Sequence, residues 1–163
     1  MLRISRLTDY AVVLATELAR HDVSVAVSDL SAATEVPAPT VSKVLKLLAK
    51  AGVVTSSRGS AGGYRLSAPA SRIPIVRVIE ALEGPIAVTE CSEQQVACEH
   101  ETNCGVRANW QRINRAVHEA LASISLADMV GPTLDRAALV PLLRSADEAD
   151  ERRAPRVAQG RPR

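Results

Sequence analysis

Cys91, Cys98 and Cys104 are the three cysteines of the chain, and they fall within 14 consecutive residues. Their spacing is Cys91-x6-Cys98-x5-Cys104. Zinc sites usually show a close pair, about two to four residues apart, and none is present. Thiolates are soft ligands that hold iron–sulfur clusters well. Three in one stretch also suit a thiol redox sensor, and incidental cysteines are the plain alternative. Cluster ligation leaves a fourth ligand to find. His100, Glu99 and Glu101 are the local candidates, and a second subunit could also supply one. His100 taken alone reads as an ordinary exposed loop histidine. An odd number of cysteines argues against a structural disulfide framework.

A second group of residues suits nucleic acid. A helix in the major groove needs polar side chains outside and apolar ones behind. Residues 39–50 supply both: Val41, Val44, Leu45 and Leu48 form an apolar stripe, and Thr40, Ser42, Lys43, Lys46 and Lys50 lie largely off it. Thr40, Ser42 and Lys43 stand near the helix start, where base edges are met, and Lys46 and Lys50 are better placed for phosphates. In the following RGSAGGY, Arg58 suits a minor groove, with Gly59, Ser60 and Tyr64 as further candidate DNA contacts. Singly, each lysine reads as a solubility residue; the conjunction with a glycine-rich wing is the signal. A winged fold used only to bind protein is the competing reading. An enzyme acting on thiols or nucleic acid is the alternative of another class, with little behind it. No acid pair stands at catalytic spacing, CxxC is absent, and GSAGG is too short for a nucleotide cradle.

These residues need elements to position them. Leu7, Tyr10, Ala11, Leu14 and Leu18 recur at helical spacing and predict a helix over 6–20. A short helix is expected from Val27 to Thr34, capped by Ser28. Pro37 and Pro39 break the chain, and Pro39 opens the third helix, which Gly52 ends. Strands are expected at 53–57 and 64–66 around a tight glycine loop. A fourth helix is expected from Pro74 to Leu82, stopped by Gly84 and Pro85. A long helix begins near Val106, with a short helical piece at Leu126–Val130. The fold class is therefore mainly α with a small β-wing: a winged helix-turn-helix over 1–84, a cysteine loop over 85–105, and a dimerisation helix with its extension over 106–130. Residues 131–163 form a tail, expected to be disordered from about 145 because it has little to bury. Val106, Trp110, Ile113, Val117 and Leu121 make the stripe expected to form a homodimer seam.

Composition agrees. Phe is absent and Trp110, Tyr10 and Tyr64 are the aromatics, so the core must be Leu, Val, Ile and Ala. The net charge of +2 hides a pattern. Residues 1–70 carry eight Lys/Arg against five Asp/Glu, residues 71–104 two against six, and residues 105–163 ten against seven. A basic head and an acidic cysteine stretch suggest different jobs. No apolar run approaches the roughly 20 residues that span a membrane, and the stretch MLRISRLTDY lacks the basic-then-apolar order and small-residue cleavage site of a signal peptide. A cytoplasmic address and no membrane partner are expected.

The chain resembles the Rrf2 family of bacterial transcription regulators. The resemblance covers about residues 1–130 and rests on LTDYAV at 7–12, LLAKAGVV at 47–54, SSRGSAGGYRL at 56–66, the three cysteines and SLADMV at 125–130. NWQRINRAVHEALASISLADM at 109–129 is most similar to the branch that regulates the SUF iron–sulfur assembly operon. Other branches sense nitric oxide or serve the ISC operon. The resemblance implies a homodimer on double-stranded DNA, a cluster-sensing repressor, and a [2Fe-2S] or [4Fe-4S] cluster on Cys91, Cys98 and Cys104. The first gap is one residue longer than in ISC-type regulators. Those use a histidine three residues past the last cysteine, where this chain has Arg107, which in its charged form cannot be a ligand. The nitric-oxide branch takes an aspartate from the partner's first helix, and Asp9 stands at that position. Asp9 is thus the implied fourth ligand, with His100 behind it. By itself Asp9 reads equally as a helix N-terminal charge. A nitric-oxide- or redox-responsive repressor of the same fold is the alternative function.

Overall fold

The structure, a computed structural model, describes residues 4–59, 62–89 and 105–131. Cys91, Cys98, Cys104, His100, Ser60 and the tail from 132 lie outside the described residues. The elements are α1 (Arg6–Leu18), α2 (Val27–Thr34), α3 (Ala38–Lys50), β1 (Val54–Ser57), β2 (Gly63–Leu66), α4 (Ile75–Glu83), α5 (Arg107–Ala122) and α6 (Leu126–Val130), with a one-turn 3-10 helix at Ala70–Arg72 before α4. This is a mainly α fold with a hairpin wing, as the apolar periodicities predict.

Ser5 starts α1: its backbone is extended and its side chain accepts from the Thr8 amide. Ala11, Leu14, Ala15 and Leu18 then bury one face. α2 spans the expected residues, but its cap differs from expectation. Val27 is its first residue and Ala26 its N-cap, with no side-chain bond. Ser28 falls inside the first turn and donates to Asp29 at 3.2 Å instead. Backbone pairing explains the register. Val25 exchanges both its N–H and its carbonyl with Tyr64, each at 2.9 Å, so the chain is extended up to Ala26 and coils only after it.

The turn from α2 to α3 has no glycine, and Glu35 takes the left-handed conformation at φ 58°. That conformation costs roughly 1 kcal/mol or more in a residue with a Cβ. Two bonds hold it: Ser31 donates to the Val36 carbonyl at 2.7 Å, and Thr34 to the Leu30 carbonyl at 2.6 Å. Pro39 is the second residue of α3, where a missing donor costs nothing. Gly52, at φ 71°, ends α3. Its amide reaches Ala49 O at 3.1 Å, and the Val53 amide reaches Leu48 O at 2.9 Å. This 6→1 and 5→2 pair closes the helix and turns the chain into β1.

β1 and β2 pair antiparallel, with Val54 opposite Leu66 and Ser57 opposite Gly63. The core is aliphatic: Leu14, Leu18, Leu30, Val41, Leu45, Leu48, Val54, Ile73, Val78 and Leu126 are all buried. α1 lies centrally, packed on α2, α3, α4 and α6. After α5 the chain returns to this core. Ile75 N donates to Ile124 O at 2.7 Å, Leu126 N donates to Ile73 O at 2.9 Å, and the Leu126 side chain is fully buried. Ser125 and Asp128 form a reciprocal capping box that starts α6.

Candidate nucleic-acid interface

Burial of Val41, Val44, Leu45 and Leu48 against the core decides which way α3 faces. Lys43, Lys46 and Lys50 are exposed, and Thr40 and Ser42 are half-buried at the N-terminal end. None of the three lysines takes part in an ion pair among the described residues. Three uncompensated cations along one helix face suit a polyanion.

The wing stands beside this helix. Arg58 and Gly59 are exposed at its tip, and the Gly62 amide donates to Gly59 O at 2.9 Å. Gly63 is required by proximity: a Cβ there would lie 2.4 Å from the Val25 carbonyl oxygen. The glycine therefore lets the hairpin base press on the segment leading into α2. Tyr64 has a different place from Arg58. Both its backbone groups are spent on Val25, and its ring packs against the core. It braces the wing from behind.

Two contacts made by α4 were not read from the sequence. Arg77 donates to the Ala51 carbonyl, the C-cap of α3, at 3.3 Å. Glu83 accepts from the Ser5 amide at 3.0 Å and from the Thr8 hydroxyl. α4 thus sets a cation at the C-terminal end of α3 and an anion at the N-terminal end of α1, each matched to the local helix dipole. A signal for the second existed. Ser5 begins a capping pattern whose third helical residue is Thr8 rather than an acid, so the acid that completes it comes from another element. Hydrogen bonds from Thr8, and next from Ser5, hold the Glu83 carboxyl below its ordinary value. A depressed carboxyl pKa means stability that is full above the unfolded value and is lost as pH falls through the folded one.

Asp9 lies one residue past Thr8 and is exposed; its carboxylate has no hydrogen bond or ion pair among the described residues. Among the described residues no three His, Cys, Asp or Glu side chains group as a metal site. The α5 stripe is divided. Val106 is 52 % and Ile113 44 % exposed, and no residue of α5 is buried. Trp110 and Val117 are half-buried, while Leu121 packs on the core of its own chain. α5 is tied to α4 by His118, 3.5 Å from Glu80, and its Asn114 accepts from the Val88 amide at 3.0 Å. No helix among the described residues is long and apolar enough to cross a membrane.

A helix-turn-helix with a bare cationic outer face, flanked by a hairpin with an arginine at its tip, defines a winged-helix DNA-binding regulator. The chain belongs to the Rrf2 family, described as iron-dependent transcriptional regulators, whose family model matches residues 4–132. It is a transcriptional regulator and not an enzyme. It is 29 % identical to the HTH-type transcriptional regulator IscR of Xenorhabdus nematophila, over 99 % of this chain and 94 % of that one. Among solved structures it is similar to CymR, the global cysteine regulator of B. subtilis, with 30 % identity, a TM-score of 0.63, and coverage of 80 % of this chain and 97 % of that one. The IscR of T. potens superposes with a TM-score of 0.60 at 26 % identity, covering 98 % and 94 %.

Proposed function

We propose that this regulator senses an iron–sulfur cluster and represses iron–sulfur assembly genes of the SUF type. Cys91, Cys98 and Cys104 would hold a [2Fe-2S] or [4Fe-4S] cluster, with Asp9 of the partner subunit as fourth ligand and His100 as the alternative. When bound, the cluster supplies a centre whose presence tracks iron and oxidants. The observation that carries the reading is the Asp9 carboxylate, exposed on α1 and free of any partner among the described residues. A surface carboxylate without a partner is chemically available to a hard cation. The iron-dependent description of the family and the IscR likenesses support it. The choice of SUF genes rests on residues 109–129 alone, since the relatives named above are IscR and CymR.

On DNA, Thr40, Ser42 and Lys43 face base edges, Lys46 and Lys50 meet phosphates, and Arg58 enters the minor groove, with the backbone amides of Gly59 and its neighbours close to phosphate oxygens. The α5 stripe pairs two copies. Asp9 matches the position used by nitric-oxide-sensing relatives, which keeps a nitric-oxide- or redox-responsive repressor as the second reading; promoter occupancy in cells separates the two circuits. The test compares wild type with Cys98→Ala, Asp9→Ala and His100→Ala under anaerobic conditions, measuring iron, sulfide, absorption and operator affinity. Cys98→Ala should lose cluster and affinity together, Asp9→Ala should hold a labile or altered cluster, and His100→Ala should behave as wild type. Cluster-free protein that binds the operator as tightly as the loaded form would sink the sensing role.

A further inference from the structure

We propose that Glu83 is a positioning residue: from the last position of α4 it caps the first turn of α1 and so sets where Asp9 presents its carboxylate. The proposal rests on the reading of Asp9 as a ligand.

Glu83 is poorly placed for its own helix. It is the C-terminal residue of α4, where the dipole disfavours an anion. Its placement makes sense only across the interface. There its carboxylate accepts the Ser5 amide at 3.0 Å, an N-cap donor that α1 itself cannot satisfy, and the hydroxyl of Thr8. Ser5 Oγ in turn accepts the Thr8 amide at 3.3 Å and lies 3.1 Å from Thr8 Oγ1. Thr8 is fully buried, so without the carboxylate its hydroxyl would lose an acceptor that water cannot readily replace. Four polar contacts therefore lock the first turn of α1 in one rotation about its axis.

Asp9 inherits that rotation. It follows Thr8 by about 100° around the helix, and its amide is held by the Ser5 carbonyl at 3.1 Å. Its own side chain has no tether among the described residues. The turn beneath it is thus what fixes the carboxylate in space. A ligand must be held to well under an ångström to compete with water, and a frayed first turn would not do so.

The experiment uses the full chain as wild type, Glu83→Ala, Glu83→Gln and Asp9→Ala. Amide hydrogen exchange over residues 5–9 is read in cluster-free protein, and the rate of cluster loss to a chelator in reconstituted protein. Glu83→Ala should speed exchange of the Ser5, Thr8 and Asp9 amides, the ones bonded in this turn, by about tenfold or more, the order expected for one hydrogen bond to a charged group, and should raise the loss rate toward that of Asp9→Ala. Glu83→Gln keeps an acceptor oxygen and should fall between; it carries the test if Glu83→Ala does not fold. Unchanged exchange overturns the cap without reference to any cluster. A labile cluster in Asp9→Ala beside a wild-type cluster in Glu83→Ala overturns the positioning role alone. If Asp9→Ala itself matches wild type, the ligand reading fails and the positioning role falls with it.

Discussion

At the scale of single residues, Lys43 and Arg58 are both bare cations, yet they stand on different supports. Lys43 sits one turn into a helix whose rear face is locked in the core, so its reach is short and directed. Arg58 sits at the tip of a two-stranded hairpin, away from any packed surface. A directed side chain reads a base edge, whereas a projecting one follows the negative potential of a narrow minor groove. Lys43→Ala is therefore expected to lower the preference for operator over random DNA by about 1–3 kcal/mol, the size of one good base contact. Arg58→Ala should weaken both complexes and reduce the slope of log affinity against log salt by about one unit, as one phosphate-region charge is lost. Binding titrations at several salt concentrations check both, and equal slopes for wild type and Arg58→Ala would remove the arginine from the interface. The polar row on α3 was legible because burial of four aliphatic residues leaves only one outward face. The clasps of Arg77 and Glu83 were not, because each joins positions 26 or more residues apart; Ser5 and Thr8 mark a cap left open, but pattern along the chain does not say which distant residue closes it.

At the scale of elements, the wing is the least self-sufficient part. Two four-residue strands cannot stand alone in water, and their support is the backbone bridge from Val25 to Tyr64. That bridge demands a glycine at 63, since a Cβ would strike the Val25 carbonyl carbon and oxygen rather than a side chain that can swing away. Gly63→Ala should cost about 1–3 kcal/mol, the usual range for forced overpacking. It should impair operator binding beyond what that loss predicts, because the wing must shift to relieve the clash. Thermal melting and operator titration of the same variant check this; a folded Gly63→Ala with full affinity shows that the wing need not be fixed. Helix positions were readable from periodicity to within two or three residues at either end. The start of α2 at Val27 was legible, but its cap was misjudged at Ser28, because the register is set by a strand pairing 39 residues away in Tyr64, not by a local cap. The return of Leu126 into the core was likewise hidden, since a five-residue helix with four apolar residues is too short for its periodicity to show which side is buried.

At the scale of the whole molecule, α5 poses the remaining question of what covers it. The head already buries its aliphatic residues within one chain, including Leu126. α5 does not: Ile113 is 44 % exposed, Val106 52 %, and Trp110 and Val117 stay partly open. A row of large apolar side chains at spacings of four and three is the seam geometry of paired helices. Leu121 serves the chain's own core instead, so the open part of the stripe ends near Val117. That division makes a clean test possible. Ile113→Glu with Val117→Glu places two charges where a second copy would have to desolvate them, yet removes nothing buried in the single chain. The double variant should sediment as a monomer with a melting temperature governed only by the head. Leu121→Glu should instead destabilise the fold itself, and so serves as the control for damage rather than dissociation. Two linked heads gain an effective concentration worth roughly 10²–10⁴ in affinity over one, provided their spacing fits half-sites about one helical turn or a multiple apart. The monomeric variant should lose a factor of that order on a full operator while keeping its affinity for an isolated half-site. A double variant that still sediments as a dimer, or a monomer that binds the full operator as wild type does, would place the seam, or the need for one, elsewhere in the chain.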